Sequence, residues 1–381
     1  MISSDEIKSF AREIGFDVVG VVSASPIRDA EEAFQEWVED GFHGEMKYLE
    51  EYRERLARLE KQIPNAKSII VFGVNYFTPS NGERKKEAVT GRVARYAWGK
   101  DYHHVIKERL GKVEKFIKEK SPEANCLICV DTQPIFERSY AEEAGLGFRG
   151  RHTNLLSKDF GPWLFLSEII TDLEFVPDSR KDHGNCGTCV ACLEVCPTGA
   201  IVSPGKIDAR KCIAYLTIEH KGVIPLEIRP LMKNWVFGCD ECLNVCPFTR
   251  SSKETTWEDL RPEAGVGRDL NLHSLFEIKT NGEYEKRFKG TPLLRASRKM
   301  MLRNAAVVLG NLRDEKAVPL LAEALEREAP LVRRHVAWAL GQIGGDESRK
   351  ILKDRFLSEE DSDVKEEIKS ALRETMVGKK S

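Results

Sequence analysis

Apolar residues arrive in two rhythms along this chain. Up to about residue 180, short aliphatic and β-branched runs alternate with stretches whose apolar positions recur at helical spacing. The runs at 16–22, 68–74, 126–131 and 163–170 have strand length and predict buried strands. Between the second and third, Ile106, Leu110, Val113 and Ile117 share one face of a predicted helix. Near the start, Ser3 and Glu6 have the spacing of a capping box ahead of the apolar face of Ile7, Phe10, Ala11 and Ile14. This alternation predicts an N-terminal α/β or α+β domain with a central sheet over 1–180, whose strand order the pattern does not reveal.

From about residue 291 the rhythm becomes wholly helical and repeats. The segment 301–312 aligns with 332–343 at a spacing of 31 residues, and a degenerate third copy follows at 364–372. Each copy is followed by a second amphipathic stretch, as at 317–325. Paired helices at this period resemble short HEAT repeats, which stack because one pair cannot bury its apolar face alone. They read either as a stabilising cap or as a curved binding surface. A polar, Gly- and Pro-containing stretch precedes them, so 256–290 reads as a linker and 291–381 as the repeat domain.

Composition is that of an ordinary globular protein, with 41% hydrophobic and 31% charged residues. The net charge of −2 leaves no global basic footprint, so a nucleic-acid partner would need a local patch. Residues 1–6 lack the basic and apolar regions of a signal peptide, and no apolar run nears the ~20 residues a membrane span requires. The expectation is a cytoplasmic, monomeric protein without a membrane partner.

Cysteine placement changes the picture most. Eight of the ten cysteines fall between Cys186 and Cys246, which points to metal rather than disulfides. Cys186, Cys189, Cys192 and Cys196-Pro197 form the run of bacterial ferredoxins. Cys239, Cys242 and Cys246-Pro247 supply a second half, and Cys212 completes the count. In two-cluster ferredoxins the Cys-Pro ligand serves the other cluster. Crossing them gives one 4Fe–4S cluster on Cys186, Cys189, Cys192 and Cys246, and another on Cys196, Cys212, Cys239 and Cys242. Structural zinc, which uses separated CxxC pairs, explains this pattern poorly. Residues 181–255 are therefore expected to be a ferredoxin-like two-cluster module. Cys126 and Cys129 lie in an apolar strand and read as core thiols.

Other residues carry two readings each. Asp131 ends a predicted strand, where a carboxylate suits a site over the sheet edge, yet Asp before Thr-x-Pro is also a ready turn former, and pattern favours the turn. The glycines of 145–150 suit a tight turn or a close ligand approach. No partner for His103 or His104 is visible in the sequence, which argues against a metal role.

Taken together, these features resemble the epoxyqueuosine reductases, cobalamin-dependent iron–sulfur enzymes of tRNA modification. The likeness spans nearly the whole chain. It rests on the segment 95–103 and on Val130-Asp131-Thr132 followed by Glu142-x-Ala144-Gly145-Leu146-Gly147-Phe148. It continues through 196–200, 212–219 and 238–242. The resemblance implies an α+β chain: a cobalamin-binding catalytic domain, a two-cluster module and HEAT-like repeats that bind tRNA. It implies reduction of epoxyqueuosine at the tRNA wobble position to queuosine, consuming two electrons and two protons and releasing water. Electrons would pass from an unidentified donor through the two clusters to cobalamin, whose low-valent cobalt is nucleophilic enough to engage an epoxide carbon. By the same resemblance Asp131 is the proton donor, for which a raised pKa is expected. The implied cobalamin contacts are Arg55, Ala94, Asp131, Leu155, Leu166, Ala214 and Asp240. Arg298, Lys299, Arg303, Arg333 and Arg334, near the starts of repeat helices, are the expected tRNA contacts. Residues 291–381 carry 18 Lys and Arg against 15 Asp and Glu, so a merely solvated face is the alternative for each. The competing classes are a corrinoid reductive dehalogenase, a non-catalytic electron-transfer protein and a HEAT-based scaffold. The missing export signal and the HEAT-like tail disfavour the first, and the eight ligand cysteines disfavour the last.

Overall fold

The computed structural model describes residues 2–80, 89–181 and 183–377. The chain folds into two units, each assembled from separate stretches: Met1–Pro79, Gly99–Arg210 and Asp240–Gly265 in one, and Ser80–Trp98, Lys211–Cys239 and Val266–Ser381 in the other.

The first unit is built on a four-stranded sheet. Its order is Val18–Ser23, Ser68–Asn75, Leu164–Thr171, Cys126–Cys129, and every pairing is antiparallel. All four strands coincide with the predicted apolar runs. The antiparallel pairing makes the domain α+β rather than a parallel α/β fold. Ser68–Asn75 is buried along its whole length, which is why its sequence is a continuous apolar run.

Strand register assigns the faces. Leu166, Glu168 and Ile170 share one side of the sheet with Val71 and Ile69, their neighbours across the pair. The helix Glu137–Glu143 covers that side, where Tyr140, Ala141 and Ala144 join Cys129, Leu166 and Ile170 in one apolar cluster. Phe165 points to the opposite side and stacks on Tyr102, with centroids 4.2 Å apart. Tyr102 opens the helix Tyr102–Lys120, whose Ile106, Leu110, Val113 and Ile117 are fully buried, as their spacing predicts. The Ser3–Glu6 capping box forms, and Phe10 stacks on Phe116 at 4.3 Å.

The second unit has a three-stranded sheet ordered Trp235–Phe237, Thr90–Val93, Asp269–Asn271. The expectation of a linker at 256–290 is overturned. Asp269–Asn271 pairs with Thr90–Val93, and Leu272, Leu275, Phe276, Tyr284 and Phe288 are buried around it. The expected domain limits at 180 and 255 likewise fall inside the folded units. The repeats follow as helices Arg298–Leu312, Val318–Arg327, Pro330–Ile343, Gly345–Ser358 and Ser362–Val377. Gly310 and Gly341, one period apart, let successive first helices touch. A Cβ on Gly310 would sit 2.9 Å from the Ala339 Cα, and one on Gly341 would sit 3.0 Å from the Ala371 Cα.

Candidate functional site

The strand Cys126–Cys129 stops at the end of the sheet, and Asp131 follows with a left-handed backbone (φ 57°). Asp tolerates that conformation better than most residues, which fits the turn-forming reading of Asp131. Helices on the two faces begin beside it. From one, the Tyr102 hydroxyl donates to the Asp131 carboxylate at 2.6 Å, and His103 Nε2 lies 3.4 Å from it. From the other, the Glu137 carboxyl accepts the Asp131 backbone N–H at 2.8 Å. Arg55 donates to the Thr132 carbonyl at 2.9 Å and fixes the next residue of the loop. The Asp131 side chain remains 56% exposed.

The histidine without a visible sequence partner has two. His103 Nδ1 bonds Asp101 at 2.8 Å, while its Nε2 faces Asp131. Both ring nitrogens are thus committed to carboxylates, and neither is free to ligate a metal. Burial works against the charged ring, but bonds to Asp101 and Asp131 outweigh it and hold its pKa at about 9. For Asp131 itself, desolvation raises the pKa, whereas bonds from His103 and Tyr102 and the His103 charge lower it, and the lowering wins. The expected raised pKa is therefore corrected: in this arrangement Asp131 is a carboxylate paired with an imidazolium.

The neighbouring carboxyls are shifted the opposite way. Burial and the Asp131 charge push Glu137 up to about 8. Glu168 is 0% exposed, and neither of its carboxyl oxygens has a hydrogen-bond partner among the described residues. Burial, then Glu137 and Asp131, push it well above the carboxylate range. Neither glutamate stands out in the sequence as a candidate site residue. The available signal for Glu168 was a lone acid inside an otherwise apolar strand, which only a protonated or paired carboxyl can occupy.

The other expected cofactor contacts are distributed differently. Leu155 and Leu166 belong to the apolar cluster beneath the Glu137–Glu143 helix. Asp240 is buried ahead of the short helix Glu241–Asn244. In the second unit, Ala94 is buried against Gly238, and Ala214 is half-buried in the helix Ile213–Ile218.

Of the eight cysteines expected to hold the clusters, Cys186, Cys189, Cys192, Cys196, Cys242 and Cys246 belong to the first unit, and Cys212 and Cys239 to the second. Cys186 packs with Cys246 among Phe148, Leu156 and Phe248. Burial, with Cys186, Cys192 and Cys189 close by, pushes the Cys246 thiol up to about 11. Four thiols gathered in apolar surroundings suit a cluster whose iron holds them as thiolates. Cys129 is a buried core thiol, as expected, and Cys126 is half-buried beside the Thr171 hydroxyl.

The expected tRNA contacts need correction. Arg303 is 0% exposed, and its guanidinium donates to the carbonyls of Leu216, His220 and Gly222 and to Asn304 Oδ1. Arg298 forms a two-pronged pair with Glu328, and Arg333 another with Glu359; all four side chains are largely buried. These three are internal struts, with no donor array facing a phosphate. Arg334 is a quarter exposed and paired with Asp363 and Glu367, whereas Lys299 is exposed.

Comparison with known proteins agrees with this anatomy. A family model described as "4Fe-4S double cluster binding domain" matches residues 185–249. One described as "Epoxyqueuosine reductase QueG, DUF1730" matches 56–132, and one for HEAT repeats matches 291–373. The epoxyqueuosine reductase of Escherichia coli (strain K12) is 38% identical over 344 residues, covering 89% of each chain. That of Pseudomonas aeruginosa is 38% identical over 90% of this chain and 94% of its own. Among solved structures, an epoxyqueuosine reductase with an epoxyqueuosine-modified tRNA-Tyr stem loop superposes with a TM-score of 0.88 at 29% identity, covering 98% of both chains. The Streptococcus thermophilus enzyme gives 0.86 at 29% identity, covering 99% of this chain and all of its own.

Proposed function

The chain belongs to the epoxyqueuosine reductase family, and on that premise we propose that it reduces epoxyqueuosine in tRNA to queuosine, with Asp131 delivering protons to the departing oxygen. The observation that carries this reading is the placement of Asp131 at the open end of the sheet, held by Tyr102, His103 and Glu137. Epoxide reduction to an alkene requires an acid beside the C–O bond, because an alkoxide or hydroxide leaves poorly. The eight cysteines hold two 4Fe–4S clusters with the crossed pairing, and these pass electrons singly. Cobalamin, when bound, supplies the low-valent cobalt that can engage an epoxide carbon. Arg55, Asp131 and Asp240 are the polar residues of the first unit that would hold it.

The wobble nucleotide must leave its stack to reach Asp131, as loop recognition permits. With Arg298, Arg303 and Arg333 committed to internal pairs, Lys299 and Arg334 remain the candidates for phosphate contact among the five. The protein works in the cytoplasm, where clusters stay reduced and tRNA is present; among the described residues no helix is long and apolar enough to cross a membrane.

The test is anaerobic reconstitution with iron, sulfide and cobalamin, then assay on tRNA bearing epoxyqueuosine. Wild type is expected to form queuosine, and Asp131→Ala to lose about 10²–10⁴-fold in rate. Clusters that assemble without any turnover would leave a plain electron-transfer protein.

A further inference from the structure

One buried histidine has no part in the Asp131 site. His152 is 2% exposed and lies in the tight loop joining the paired strands Phe148–Arg149 and Leu155–Leu156. The loop closes through the Gly150 N–H on the Asn154 carbonyl at 2.9 Å, with Thr153 in a left-handed backbone (φ 72°). The Asn154 N–H in turn donates to His152 Nδ1 at 3.3 Å. A ring nitrogen that accepts a hydrogen bond carries no proton, so the ring proton sits on Nε2. Burial, and then the Arg138 charge, oppose a second proton and hold the pKa at about 4. His152 Nε2–H is thus a buried donor in a neutral ring, and nothing among the described residues accepts from it. An apolar side chain would be free of the cost of such an unmade bond, so the group calls for an acceptor that the chain itself does not supply.

The surroundings of the loop identify that acceptor. Phe148 and Leu156 pack with Cys246 and Cys186, two of the four thiols expected on one cluster. Arg151, next to His152, donates to the Gly187 carbonyl at 2.7 Å, immediately after Cys186. Its own carbonyl accepts the Gly205 N–H at 2.8 Å. The hairpin is therefore clamped to the loop that carries Cys186 and packed on the one that carries Cys246. A Cβ on Gly150 would sit 2.7 Å from the Leu156 Cδ1 and 3.1 Å from the His152 Cε1, the ring carbon bonded to Nε2. The ring edge and the leucine that meets Cys246 thus flank one point, and glycine leaves room for both. All of these residues, with Cys189 and Cys192, belong to the first unit.

We propose that His152 Nε2–H donates a hydrogen bond to a sulfur of the 4Fe–4S cluster on Cys186, Cys189, Cys192 and Cys246, and so sets how readily that cluster takes up an electron. The inference rests on the cluster assignment above and not on the epoxide chemistry. Sulfides and thiolates of a cluster accept hydrogen bonds, and reduction adds one electron, which increases the negative charge on sulfur. A fixed N–H dipole stabilises the reduced form more than the oxidised one and raises the potential. Burial strengthens the effect, because no water competes for the donor. In a relay the consequence is twofold: the electron is easier to accept from the donor protein and harder to release toward cobalt. His152 is a positioning residue in this scheme, since it keeps its proton and acts on the cluster alone.

The test uses reconstituted holoenzyme of wild type, His152→Phe and His152→Gln, each first analysed for iron and sulfide. Phenylalanine fills the ring volume without a donor, whereas glutamine can set an amide N–H near the place of Nε2. Redox titration followed by EPR should show one cluster transition lowered in His152→Phe and the other unchanged. The expected shift is about tenfold in the reduction equilibrium, or about 59 mV for one electron. His152→Gln should recover part of it, which a purely space-filling role would not. With isotopically labelled histidine, pulsed EPR of the reduced wild type should show coupling to a histidine nitrogen that is lost in both variants. Unshifted transitions in a His152→Phe protein of full iron content, or a nitrogen coupling that survives the substitution, overturn the proposal. Where His152→Phe binds less iron than wild type, the coupling decides alone, and its absence from wild type overturns the proposal. A wild type that assembles no clusters sinks the cluster assignment and this inference together, whereas intact clusters with unshifted potentials sink the inference alone.

Discussion

Arg303→Met separates a structural arginine from a nucleic-acid contact, because methionine keeps the apolar stem and removes the guanidinium. Inside the second unit that guanidinium binds the carbonyls of Leu216 at 2.6 Å, His220 at 2.7 Å and Gly222 at 2.7 Å, and Asn304 Oδ1 at 2.9 and 3.0 Å. Asn304 in turn donates to the carbonyls of Thr217 and Val236. Leaving three buried carbonyls unpaired costs about 1–3 kcal/mol each. The variant no longer buries a charge, which returns several kcal/mol of desolvation. The acceptors are carbonyls rather than an opposite charge, so no buried ion is orphaned, and the net loss is about 3 kcal/mol. For a unit of 150–250 residues each kcal/mol moves the melting temperature by about 2–4 °C, so calorimetry of the full chain should show a transition lowered by roughly 6–12 °C. The salt dependence of tRNA binding should keep its wild-type slope. A variant whose melting shifts by less than about 2 °C, with a log–log salt slope shallower by about 0.9, would place the guanidinium on a phosphate and refute the argument.

Three further outcomes follow from the geometry. His103 should titrate near 9 by NMR of its ring proton; since its folded pKa is raised above the ordinary 6.5, the stability it contributes is complete below about pH 6.5 and disappears as pH rises through about 9, and a ring titrating near 6.5 would break its assigned pairing with Asp101 and Asp131. Gly341→Ala, which sets a Cβ 2.8 Å from that of Ala371 and 3.0 Å from its Cα, should destabilise the repeats by about 1–3 kcal/mol in denaturant titration, and an unchanged midpoint would contradict the close helix approach. Cys246→Ala should reduce bound iron by about half after anaerobic reconstitution, because it removes a ligand of one cluster only; full iron content would contradict the crossed ligand assignment.

Much of this architecture was legible because burial on both faces of a strand writes itself as an uninterrupted apolar run. The four runs became the four strands of the first sheet. Their order was not legible, since the run at 163–170 pairs with both the second and third strands by contacts far apart in sequence. The stretch 256–290 failed for the opposite reason. Its buried residues are spread among turns and short helices, with no period to reveal that Trp257, Leu270, Phe276 and Phe288 are core.

Charge was the least legible property, because a sequence records which residue is ionisable and not what surrounds it. Arg303 and Arg334 occupy equivalent places one period apart, yet one is fully enclosed by carbonyls and the other is a quarter exposed. The same limit applies at the sheet end. Asp131 was expected to hold its proton through desolvation, but two residues, Tyr102 and His103, reach it from a helix that begins 29 positions earlier and turn it into a carboxylate. That helix start lies on one face of the sheet and Glu137 on the other, so the groups that set the charge of Asp131 converge on the strand end from both sides, a neighbourhood that no spacing in the sequence records.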